Sequence, residues 1–103
     1  MNTACFCVAA DHPATHGHFP GNPIIPGAVL LNATLQAIEV AIDAKLLQCR
    51  IKSAKFHRPV RPGDQVAIEY LQSGAEDIRF SGNVDGKTVL TGHLQCSLQL
   101  KDL

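Results

Sequence analysis

The sequence predicts an α+β fold, a small antiparallel sheet curled around one central helix. One long stretch, from about Gly27 to Lys45, is apolar around most of a helical circumference. Most of the remaining chain alternates with period 2, the mark of strands with one buried face. Turn-forming residues separate the alternating runs. At 103 residues the chain has room for one domain, spanning 1–103.

The elements follow in order. A short strand comes first, and its Cys5-Phe6-Cys7 places both sulfurs on one side. A long loop leads to the helix, GAVLLNATLQAIEVAIDAK, whose central polar residues are few: Asn32, Thr34, Gln36 and Glu39. A helix this apolar is expected to be buried. Pro23 and Pro26 precede it, where their fixed φ suits an extended approach and a first helical turn. In the strands that follow, Val66, Ile68 and Tyr70 share one face, and Ile78, Phe80 and Val84 another. Leu94, Cys96, Leu98 and Leu100 oppose Gln95, Ser97, Gln99 and Lys101. Pro62-Gly63-Asp64 marks a turn and Asp85-Gly86 a tight hairpin, while a phase slip near Ser53-Ala54 predicts a β-bulge. One layer of sheet leaves a helix flank bare, so a homodimer is expected to cover it.

Composition narrows the function. A hydrophobic fraction of 46% argues against disorder, and nine Lys+Arg balanced by nine Asp+Glu give no global field for nucleic acid or an anionic membrane. Five aromatic residues are too few to interleave a basic strip with stacking platforms. No apolar run approaches the roughly 18 to 20 residues that cross a bilayer. The N-terminus lacks the basic and apolar regions of a secretion signal, so a cytoplasmic protein is expected. The four cysteines form no CxxC pair and are expected to be reduced, small apolar residues. No acidic or cysteine cluster joins His12, His16 and His18, so no metal is implied.

Chemistry concentrates in HFPGNPIIPGAVLLNATLQ, residues 18–36. Three prolines and two glycines between His18 and Gly27 fix the backbone of this loop. An unpaired N–H at the helix start, with no Cβ to block approach, is an anion-stabilising donor. A fixed histidine beside it suits proton abstraction next to a carbonyl.

This segment resembles the active-site signature of the hot-dog-fold (3R)-3-hydroxyacyl-acyl-carrier-protein dehydratases, HFPG-x-P-x-x-PG followed by a helix bearing an acid and then a glutamine. A second stretch, AKFHRPVRPGDQVAIEY at residues 54–70, resembles the family's KF-x-RPV-x-PGDQL, and the resemblance spans roughly residues 16 to 100. It implies a hot-dog fold and removal of water from a 3-hydroxyacyl thioester to give the trans-2-enoyl thioester. The catalytic histidine falls on His18, the N–H for the thioester oxygen on Gly27, the carbonyl that orients the imidazole on Ile24, the acid on Asn32 and its supporting glutamine on Gln36. In that family histidine and acid come from different protomers. Phe19, Ile24, Ile25 and Ala28 are expected to line the acyl tunnel, and no metal or redox cofactor is implied.

Asn32 departs from the pattern. An amide matches a carboxyl group in shape but cannot give a proton to a leaving hydroxide. Glu39, seven residues on, lies about 10 Å along the helix axis and cannot replace it directly. Either His18 returns its proton to the β-hydroxyl, with Asn32 holding that hydroxyl or a water, or a conjugated acyl chain lowers the elimination barrier. The second option matches the similarity of this sequence to the short dehydratases of aryl polyene pigment synthesis. A further departure is that about 15 residues precede the loop, where the usual family member has a further strand and helical segment.

Six basic residues and no acid lie between Lys45 and Arg61. Lys52, Lys55, Arg58 and Arg61 are the expected landing site for an acidic acyl carrier protein, although a charged sheet edge has the same composition. Two other functions fit the fold: a hot-dog thioesterase, or a non-catalytic carrier-protein-binding subunit that partners an active dehydratase.

Overall fold

The computed structural model describes residues 2–8, 24–74 and 76–100. Their elements are β1 (Asn2–Cys7), α1 (Gly27–Ile42), β2 (Ala44–Phe56), β3 (Gln65–Ser73), β4 (Asp77–Val84) and β5 (Lys87–Leu100). The strands form one antiparallel sheet in the order β1-β3-β4-β5-β2, so β1 and β2 are its edges. The helix lies against both edges, and its Leu30, Thr34 and Ile38 are buried. Val66, Ile68, Tyr70, Ile78, Phe80, Leu90, Leu94 and Cys96 complete the core from the sheet. This is the α+β hot-dog arrangement, a sheet curled around one helix.

The alternating faces fold as their pattern predicts, with two endings. Val84 is only half-buried, because the register shifts between Gly82 and Asn83. Leu98 is exposed near the end of β5, and the side chain of Leu100 lies outside the described residues. Asp85 and Gly86 both take positive φ, 52° and 79°, and join Val84 to Lys87 in the expected tight hairpin. The expected bulge is present as a register shift between Ile51 and Ser53, with Lys52 as the extra residue.

Three expectations need correction. The helix ends at Ile42 rather than Lys45, because Asp43 turns left-handed (φ 54°, ψ 48°) and Ala44 already begins β2. It is also not buried all round: Ala28, Asn32, Gln36 and Val40 form an exposed stripe. The cysteines are not four buried thiols. A second bulge between Leu47 and Arg50 sets two residues against one, which leaves Cys49 opposite Cys96, and the two are disulfide-bonded. Cys5 and Cys7 share a face of β1, as expected, but both are exposed.

Candidate active site

Pro26 opens the helix with φ −58° and ψ 145° and no side-chain cap, and no acidic residue sits in the first turn. The first intrahelical bond described is Leu30 N–H to the Pro26 carbonyl at 3.0 Å. Among the described residues, none accepts from the N–H groups of Gly27, Ala28 or Val29. Those donors give the helix start a positive potential toward its N-terminal side.

The approach to this turn is clamped by the second motif. Ile25 N–H donates to the Val60 carbonyl at 2.8 Å, and both side chains are buried. On the far side of the same segment, His57 N–H donates to the Val89 carbonyl at 2.8 Å. The turn after it holds β1 in turn: Gly63 N–H meets the Val8 carbonyl at 2.8 Å, and Val8 N–H meets the Asp64 carbonyl at 3.0 Å. Asp64 closes that turn by accepting Arg61 N–H at 2.9 Å. Two stretches far apart in sequence thus become opposite walls of one space.

That space is a cavity of about 460 Å³, bounded by Ile24–Gly27 and Leu30 on one side and Phe56–Val60 on the other. Gly27 sits at its edge, where a Cβ would lie 3.0 Å from Phe56 Cζ. A second cavity, of about 530 Å³, runs between β1 and α1. Ile25 and Leu30 border both.

The predicted site residues divide between these places. Gly27, Ile24 and Ile25 line the smaller cavity, and Ile25 with Gln36 lines the larger. Ala28 and Asn32 lie on the exposed helix stripe and line neither. Asn32 is five residues beyond Gly27, a rotation of about 140° at 3.6 residues per turn, so one chain does not bring the two together. His18 and Phe19 lie outside the described residues, as do His12 and His16. Glu39 is engaged elsewhere, its Oε2 accepting Leu46 N–H at 2.9 Å.

Lys52, Lys55, Arg58 and Arg61 are exposed, and Arg58 borders the smaller cavity. His93 lies on β5 and His57 just beyond the end of β2: His57 Nε2 meets Thr91 Oγ1 at 3.0 Å and His93 Nε2 meets Asp77 Oδ1 at 2.8 Å. No group of three or more metal-ligating side chains occurs among the described residues, and none of their helices is long and apolar enough to cross a membrane. Phe56, Leu30 and Val60 also line the smaller cavity and had no separate role in the sequence reading. The one signal for Phe56 is its place in the KF-x-RPV stretch of the second motif.

Comparison with known proteins identifies the family. A profile of the family described as ApeI-like, ApeI dehydratase, matches residues 2–93. The chain is 38% identical over 103 residues to the 3-hydroxyacyl-acyl-carrier-protein dehydratase FabZ of Actinobacillus pleuropneumoniae serotype 5b (strain L20), covering 87% of this chain and 67% of that protein. It is 35% identical over 102 residues to the FabZ of Pasteurella multocida (strain Pm70), with the same coverage. Among solved structures, the dehydratase heterocomplex ApeI:P from Xenorhabdus doucetiae superposes with a TM-score of 0.78 at 18% identity, covering 92% of this chain and 85% of that one. The chain therefore belongs to the ApeI-like dehydratase family of the hot-dog fold, enzymes of fatty-acid and polyene-type thioester chemistry.

Proposed function

We propose that this dehydratase works on a 3-hydroxyacyl group held by an acyl carrier protein, with His18 as base, Gly27 N–H as the donor to the thioester oxygen and Asn32 orienting the leaving group. His18 takes the α-proton, the C–H electron pair becomes the new double bond, and the β C–O bond breaks. Hydroxide leaves with the proton that His18 returns to it, so one water departs and the trans-2-enoyl thioester remains. Negative charge on the thioester oxygen is greatest midway, where a fixed N–H stabilises it most. The observation that carries this reading is the uncapped helix start at Gly27, opening on a cavity whose far wall is the second motif. Ile24 would orient the imidazole, Gln36 would support Asn32, and Phe19, Ile24 and Ile25 would contact the acyl chain, with Ala28 reaching it only on the flank that a second copy covers.

A second copy of the chain completes the site in this reading. Asn32 faces away from the Gly27 cavity, on a helix flank whose Val40 is 75% exposed. Edge strand β2 also shows Leu47, Ile51 and Phe56 to solvent. Asn32 also favours a second arrangement, in which a different hot-dog subunit supplies the missing carboxyl group, as the heterocomplex of dehydratases similar to this fold suggests. The exposed Lys52, Lys55, Arg58 and Arg61 would steer the acidic carrier, and the cytoplasm is the compartment proposed for both.

The test is mass spectrometry of a purified 3-hydroxyacyl carrier protein incubated with the enzyme. Loss of one water from the acyl group is expected, and His18→Ala should abolish it. Release of the free acid would mean a thioesterase, and an unchanged acyl group a binding subunit. Light scattering separates a homodimer from a chain that awaits a different partner.

A further inference from the structure

Phe56 is the last residue of β2 and is 49% exposed. Its ring faces the place where a Gly27 side chain would begin. The three heavy atoms nearest the place of a Gly27 Cβ are all on its ring, Cζ at 3.0 Å, Cε2 at 3.1 Å and Cε1 at 3.3 Å. A Cβ at position 27 would therefore require the far end of the ring to give way by a few tenths of an ångström.

Both ends of this contact are anchored. Phe56 pairs with Leu90 in the sheet, and the next residue, His57, donates its N–H to Val89 at 2.8 Å. On the other side, Ile25 N–H is held by Val60 at 2.8 Å, and Leu30 N–H closes the first turn on Pro26 at 3.0 Å. The ring end lies between these two anchored segments, and Phe56 and Gly27 both line the smaller cavity. A donor that acts on a developing oxyanion loses its effect when displaced by about 1 Å.

We propose that Phe56 is a positioning residue of the dehydratase, acting through Gly27: its ring end sets the first turn of α1 and so the direction of the Gly27 N–H. This role rests on the reading of Gly27 as the oxyanion donor. It gives a role to a half-exposed phenylalanine that ends its strand beside a helix opening on glycine. Because the oxyanion exists only beyond the ground state, losing the ring lowers kcat and leaves KM nearly unchanged.

The experiment is a double-mutant cycle on dehydration of a 3-hydroxyacyl carrier protein, with the folded fraction of each variant fixed by thermal melting. Phe56→Ala is expected to lower kcat on the order of tenfold or more, with KM within about threefold. Phe56→Leu, a milder truncation, should recover part of that loss and serves as the probe if Phe56→Ala does not fold. Gly27→Ala alone should also lower kcat, because its methyl group meets the ring. In the Phe56→Ala background the same methyl has room, so its cost should shrink to under about threefold. Additive losses, or a folded Phe56→Ala or Phe56→Leu with unchanged kcat, would overturn the positioning role and leave the dehydratase reading intact. A wild-type protein that releases no water overturns that reading, and this role with it.

Discussion

Phe80 on β4 lies across Gly92 on β5, its pairing partner, so that a Cβ at residue 92 would come 2.8 Å from the ring Cε1 and 3.0 Å from the Ser53 carbonyl of β2. Both neighbours are fixed: Phe80 is buried, and the other is backbone. Gly92→Ala is therefore expected to destabilise the fold by about 1–3 kcal/mol, the usual cost of overpacking. Urea denaturation checks it. A variant as stable as the wild type would show that the ring has room to move.

Gly86 gives the opposite kind of glycine effect. Its φ is 79° and nothing lies within 4 Å of its missing Cβ. Gly86→Ala should therefore cost only the left-handed backbone penalty, about 1–2 kcal/mol. Asparagine tolerates that conformation better, so Gly86→Asn is expected to cost less. Equal losses in the two variants would point to a contact rather than to backbone strain.

Glu39 joins the last turn of α1 to the edge strand, its carboxylate accepting the Leu46 N–H at 2.9 Å in a partly buried place. Removing the acceptor strands that donor. Glu39→Ala is expected to cost about 1–2 kcal/mol in chemical denaturation. Glu39→Gln keeps an acceptor oxygen and should recover most of the loss. If Ala and Gln behave alike, the bond contributes little to the folded state.

What the sequence revealed tracks how local the chemistry is. Asp85-Gly86 names its own turn, and the alternation of Val66, Ile68 and Tyr70 names its own buried face, because neither depends on distant residues. The helix end was not legible, since Asp43 turns left-handed without the Gly or Pro that ordinarily signals such an end. The cysteine pair was hidden by the extra residue at Gln48, whose positive φ shifts the phase of β2 just before Cys49. In the site, Ile24 to Gly27 and the segment ending at Val60 were each readable as motifs. Their closure into one cavity depends on the Ile25–Val60 hydrogen bond and on the Phe56 ring, contacts between residues about 30 positions apart that no periodicity reports.

The Cys49–Cys96 bond joins the edge strand to its neighbour across 47 residues of sequence. In the chain-entropy account, a loop of that size is worth at most about 4 kcal/mol through the unfolded state. A dithiol reductant is therefore expected to lower the urea midpoint of the purified protein, and Cys49→Ser should make the midpoint insensitive to it. Alkylation followed by mass spectrometry reports whether the pair is bonded in the cell. In a reducing cytoplasm the two would be thiols, and the lower midpoint would be the working stability.

Asn32→Asp tests the missing acid. The residue is exposed in the single chain, so the exchange should shift the fold of that chain by no more than about 0.5 kcal/mol, and light scattering of the variant checks that its assembly is unchanged before turnover is compared. General acids typically contribute on the order of 10² to 10⁴ in rate, which bounds the gain. A saturated 3-hydroxyacyl substrate, with no conjugation to lower its barrier, should gain most, and a conjugated one little. The two substrates measured on both proteins distinguish the explanations. If only the saturated substrate gains, the natural amide is tolerated because conjugation lightens the elimination. If neither gains, proton delivery already rests with His18 or with a carboxyl group on a partner subunit, and mixing the chain with such a subunit should then raise turnover where Asn32→Asp did not.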